Sequence, residues 1–154
     1  MQNFSGQYLN LFFLGQKAQW ENYADRAEHN LNNIDAEIYQ LLAANQELLT
    51  SSRDVNLQRI LLRGLVDKDP EVSMLRNRLD SQSAYLYDNP SRSTLAIRMK
   101  PDVLKLMVLR NQKAKVFGFA NYPELVFHCE GLDREQVKQT VSDYLETNLL
   151  WPAD

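Results

Sequence analysis

LRNQKAKVFGFANYPELVFHCEG, from Leu109 to Gly131, is the stretch on which the fold turns. Gly118 follows Val116-Phe117 and suits the left-handed residue that ends a helix, because glycine has no Cβ to clash there. Phe119 falls where an apolar residue folds back on the last turn. Asn121 can cap the next helix, and Glu124, three residues on, completes a capping box. Pro123 sits in the first turn, where its missing N–H is not needed. Gly131 ends this short helix. Asp133 then caps another, answered by Gln136, with Leu132 placed to staple onto Val137. Each device contributes about 0.5–2 kcal/mol, and all of them predict the same helix–turn–helix–turn–helix corner. The last helix lines up Val137, Val141, Tyr144, Leu145 and Asn148 on one face.

The rest of the chain reads in the same way. Phe4 to Asp25 carries Tyr8, Leu11, Phe12, Gln19 and Tyr23 near one face. Asn33 to Leu49 carries Ile34, Ile38, Leu41, Leu42, Leu48 and Leu49, and the weak break at Asn32-Asn33 allows one bent helix in place of two. Val55 to Asp67 places Leu57, Ile60, Leu61, Gly64 and Leu65 at i, i+3, i+4, i+7 and i+8. Val55, Leu62 and Val66 widen that stripe, so this helix is expected to be buried on more than one side. Asp69-Pro70-Glu71 starts another helix with cap, first-position proline and a dipole-matched glutamate, running to Tyr87. DNPSRST, Asp88 to Thr94, is the strongest loop signal. Pro101-Asp102 is expected to open the helix that ends at Gly118. Strand-like alternation is scarce. The fold class is therefore all-α, a bundle of about six to seven helices in a single domain over residues 1–154, with a hinge loop at 88–100.

The bulk numbers narrow the function. A chain of 154 residues with 44% apolar residues and 15 aromatics fills one core. Net charge is −3, which disfavours a general nucleic-acid binder. One cysteine excludes an intrachain disulfide and fits a reducing, cytoplasmic compartment. No basic, apolar leader opens the sequence, and no apolar run approaches the ~20 residues of a membrane span.

Candidate chemistry is thin. Zinc needs three or four converging ligands. The chain has two histidines, His29 and His128, no His-Glu-x-x-His, and no second cysteine beside Cys129. His128 and Cys129 are adjacent, and adjacent side chains on a helix diverge by about 100°. The bland reading, with Cys129 a small buried apolar group and His128 partly exposed, is preferred over a metal site or a thiol nucleophile. Arg98, Lys100, Lys105, Arg110, Lys113 and Lys115 form a basic segment, read as a solvated helix face rather than a phosphate site. Asp67, Asp69 and Glu71 read as cap and dipole groups. No phosphate-cradling glycine loop and no GxSxG is present.

The run from Arg110 resembles a family. Arg-Asn-x-x-Ala-x-x-x-Gly-aromatic-x-x-Tyr, here Arg110, Asn111, Ala114, Gly118, Phe119 and Tyr122, is similar to the helical region of the M3-type oligopeptidases (oligoendopeptidase F-like and thimet-like zinc peptidases) and their M2-type relatives. EGLDREQV, which follows, and QWENYADRAEHNLNNIDAEIYQLL and LQRILLRGLVDKDPEVSMLRNRLD, which precede, resemble the same group less distinctively. The resemblance implies an almost all-helical fold and a peptide-hydrolysing lineage with a deep substrate channel. The family's catalytic part, with its zinc helix and downstream histidine and tyrosine, has no counterpart here, so no catalytic, metal or cofactor residue carries over. The expectation is a non-catalytic helical module like the N-terminal channel wall of such a peptidase. Its expected partners are a peptide, a catalytic half or a second copy, with no nucleic acid and no membrane. The alternative is a stand-alone oligomerisation or protein-interaction module.

Overall fold

The computed structural model describes residues 4–25, 28–47, 51–84 and 92–148. Among them are seven helices: α1 (Phe4–Asp25), α2 (Glu28–Ala44), α3 (Val55–Asp67), α4 (Pro70–Ala84), α5 (Arg92–Val116), α6 (Tyr122–Glu130) and α7 (Arg134–Asn148). No strand occurs among the described residues. The protein is an all-α bundle. α1 lies on α2, α2 on α3 and α4, α4 on α5, and α6 bridges α3 and α5.

α3 holds the centre because it is apolar on two sides. Leu61 and Leu65 join Ile38 and Leu42 of α2, with Phe4, Tyr8 and Leu11 of α1 packed against them. On the opposite side Val66 meets Ala114 of α5 and Leu125 of α6. A further cluster, Val72, Leu75 and Leu79 with Met99 and Leu106, joins α4 to α5. α2 and α3 approach closely at Gly64: a Cβ there would stand 2.5 Å from a methyl of Leu42. α3 begins at Asp54, whose carboxylate accepts from the amides of Asn56 and Leu57. Asp69 performs the same service for Glu71 at the start of α4.

Two boundaries differ from the sequence reading. Asn32-Asn33 lies inside α2, which starts at Glu28 and buries Leu31 just ahead of that pair. α5 starts at Arg92, so the part of the expected hinge from 92 to 100 is helical and Pro101 sits inside the helix. A proline there removes an amide donor and crowds the carbonyl four residues back. Burial of Met99, one helical face with Leu106, holds the segment in place. The remainder of the expected hinge, with Tyr87, and Leu48 and Leu49 at the expected end of the second helix, lie outside the described residues. On α1 the inward line is Tyr8, Leu11, Gly15 and Ala18, while Phe12 and Gln19 point outward. Small residues let α1 approach Ile34 and Ile38, an advantage that hydrophobic periodicity does not register.

No helix among the described residues is long and apolar enough to cross a membrane. α7 stands apart. A 3.4 Å contact from Arg134 to Glu124 ties its start to α6, and no other helix packs along its length among the described residues. Val141, Tyr144 and Leu145 are exposed on it.

Candidate functional site

The corner that joins α5 to α6 is built as its sequence dictates. Gly118 has φ 86°, and the Phe119 amide donates back to the Ala114 carbonyl at 3.2 Å, closing the left-handed turn. Phe119 packs on the Val66–Ala114–Leu125 cluster. Asn121 Oδ1 accepts the Glu124 amide at 3.0 Å. The Glu124 carboxylate reaches one residue further back than the expected box, to the Ala120 amide at 3.2 Å. Gly131, at φ 67°, ends α6, and Leu132 donates to the Phe127 carbonyl. Asp133 Oδ1 accepts from the Gln136 amide at 2.8 Å. Leu132 remains half exposed.

All six motif residues meet in this corner. Ala114 is fully buried, where a larger side chain would push α3 away. Asn111 Oδ1 accepts the Tyr122 amide at 2.9 Å, across the turn. Arg110 lies over the Tyr122 ring, 4.7 Å from its centre. Both then converge on Asp67 of α3: the Tyr122 hydroxyl donates to its carboxylate at 2.7 Å, and Arg110 pairs with it at 3.2 Å. Arg63 adds a third donor at 3.3 Å and also pairs with Glu130 of α6. Burial first, and then the Asp67 charge, push the Tyr122 hydroxyl up to about 12. It is a proton donor held neutral, not a base.

A second carboxylate lies deeper. Asp35 of α2 is fully buried and accepts from Lys68 at 2.5 Å, Arg76 at 2.8 Å and Asn77 Nδ2 at 3.1 Å. Asn77 also donates to Asn32 at 2.9 Å, and Arg76 reaches the Asp67 carbonyl at 3.3 Å, so the two centres are linked. Asp69 completes the line: it caps α4 and pairs with Lys113 at 2.7 Å, a hydrogen bond that raises the Lys113 ammonium's affinity for its proton.

These contacts revise the reading of the charges. Asp67 is a hub for three donors rather than a dipole group. Arg110 and Lys113 turn inward, and the solvated face of the basic segment is Arg98, Lys100, Lys105 and Lys115. Sequence reasoning passed over Asp35, although one signal was present. Leu31, Asp35, Ile38 and Leu42 share a helical phase, so a carboxylate stood in an apolar row.

The groups singled out for chemistry do not combine. His128 is exposed in the last turn of α6, its ring 5.3 Å from that of Phe119. Cys129 is half buried, and burial pushes its thiol up, away from the thiolate a nucleophile needs. The side chain of His29 lies outside the described residues. Among the described residues no three His, Cys, Asp or Glu side chains come together as a metal would require. A groove of about 350 Å³ opens beside the corner, walled by Met107, Pro123 and Phe127 and edged by Arg110, Glu124 and Arg134. Comparison of the chain with protein-family models, curated proteins and solved structures found no match in any of the three.

Proposed function

We propose that this chain is a non-catalytic helical module that works by binding, of a lineage resembling the N-terminal helical part of the M3-type zinc oligopeptidases. One observation carries the reading. The six residues of the resemblance gather at one joint between α3, α5 and α6, where Asn111 accepts the Tyr122 amide and both Arg110 and the Tyr122 hydroxyl bond to Asp67. Contacts of this kind position helices. In a complete peptidase such helices would stand as one wall of the channel. The test is zinc titration by calorimetry alongside hydrolysis of a short fluorogenic peptide. Neither tight zinc binding nor cleavage is expected, and stoichiometric zinc with cleavage would overturn the proposal.

A second reading, a stand-alone oligomerisation module, draws on α7. Its face of Val141, Tyr144 and Leu145 is exposed, and apolar faces of this kind mark interaction sites. Light scattering across a concentration series separates the two: a mass that rises with concentration, and falls back in Val141→Ser with Leu145→Ser, belongs to the second.

A further inference from the structure

Val103-Leu104-Lys105-Leu106-Met107-Val108-Leu109 is apolar at six of its seven positions. Successive residues of a helix turn by about 100°, so seven of them cover the whole circumference. A helix that is apolar all round belongs between neighbours on every side. The bundle supplies them on one side, where Leu106 is buried with Val72, Leu75 and Leu79, and Leu109 packs against them. The other side is open: Val103, Leu104, Met107 and Val108 are 42, 52, 57 and 54% exposed. Ile97, two turns before Leu104 on the same face, extends the stripe. Met107 also walls the groove against Pro123 and Phe127, so the open face runs without a break into a concavity.

The surroundings of this face are cationic. α5 carries seven Lys or Arg against one carboxylate, Asp102, in a chain whose net charge is −3. Arg110 and Lys113 are engaged by Asp67 and Asp69, while Arg98, Lys100, Lys105 and Lys115 are exposed beside the stripe.

We infer that the open face of α5 is a docking surface for an amphipathic helix of another polypeptide, one whose apolar stripe is flanked by Glu and Asp. The inference deepens the binding reading above and rests on it. Charge complementarity selects the occupant. Ridges at i, i+4 and i+7, such as Leu104 and Val108 with Ile97, are what a second helix packs into. The same face of a second copy would bring like-charged rims together. A lipid surface also attracts a Lys-rimmed apolar stripe, and binding to vesicles is the outcome of the test that separates it.

The test uses the full chain and two synthetic helical peptides with the same leucine stripe, one flanked by Glu and the other by Lys, followed by fluorescence anisotropy. The Glu-flanked peptide should bind, more weakly as salt rises, and the Lys-flanked one should not. Leu104→Ser with Val108→Ser should weaken binding by about tenfold or more. Lys100→Glu with Lys105→Glu should weaken it by about three- to tenfold. All four side chains are exposed, so the melting temperature should stay unchanged in both variants. Equal binding of the two peptides, binding of neither, or indifference to the variants would overturn the proposal. So would binding to phosphatidylserine vesicles in place of the peptide, or a dimer that Leu104→Ser with Val108→Ser dissolves. None of these outcomes touches the zinc and peptidase readout, so the two proposals fail separately.

Discussion

Tyr122 shows how one hydroxyl ties a corner to the centre of a bundle. Its bond to the Asp67 carboxylate is charge-assisted and half shielded from water. Tyr122→Phe keeps the ring under Arg110 and deletes this bond alone, so it should destabilise the fold by about 1.5–3 kcal/mol, read from urea unfolding at neutral pH. The pH dependence has a definite sign. The Tyr122 pKa rises from 10.0 unfolded to about 12 folded, so its contribution is complete below pH 10 and disappears as pH climbs through the folded value. The Lys113 ammonium, raised from 10.5 by its bond to Asp69, loses stability over the same alkaline range. Urea midpoints measured through that range should fall in the parent and fall less in Tyr122→Phe; parallel curves would contradict the assignment. Asp35 makes the complementary case in the interior. Asp35→Asn leaves Lys68 and Arg76 facing a neutral group and should lower stability by about 3–5 kcal/mol in the same assay. Tyr122 was legible in the sequence as part of a motif, whereas its partner was not, because Asp67 lies 55 positions away and local chemistry offers no hint of that contact.

At the scale of elements, what could be read beforehand depended on how local the cause was. The turns at Gly118 and Gly131 and the caps at Asn121 and Asp133 involve neighbours in sequence, and the structure forms each of them. The bounds of α3 were legible, because its apolar stripes mark them, although Val55 and Ile60 of the expected stripe stand about half exposed. The start of α5 was not. Pro101 is a local stop signal overruled by a distant cause, the burial of Met99 between α4 and α5. Pro101→Ala should therefore restore a helical hydrogen bond where the helix already exists and raise stability by about 1–3 kcal/mol, seen as a higher urea midpoint. A loss of stability would mean that the proline is needed for the seating of Met99. Gly15 and Ala18 on α1 escaped notice for a related reason: contact there depends on smallness, and hydropathy measures something else.

For the molecule as a whole, the buried clusters are spread over α1 to α6 and leave α7 outside. Stability should follow that division. Amides of α7 are expected to exchange with solvent orders of magnitude faster than those of α3, since local opening there breaks few packed contacts. Hydrogen-exchange mass spectrometry on the free chain reads this directly, and slow exchange throughout α7 would reveal a partner for its apolar face. The class of fold was open to sequence reasoning because it sums many local choices. The candidate surfaces were not, because exposure is a property of the assembled bundle. Nothing in VLKLMVL indicates which of its sides the other helices will cover.

The cage around Asp35 has one more consequence. Helices in a bundle with apolar faces of similar width can exchange neighbours, or shift lengthwise by a turn, for a small loss of contact. A shift of one turn between α2 and α4 would carry Asp35 about 5.4 Å from Arg76 and Asn77 and strand a charge in hydrocarbon. The anion thus acts as a key cut for a single lock, permitting one alignment of three helices and rejecting near-equivalents that greasy surfaces alone would accept.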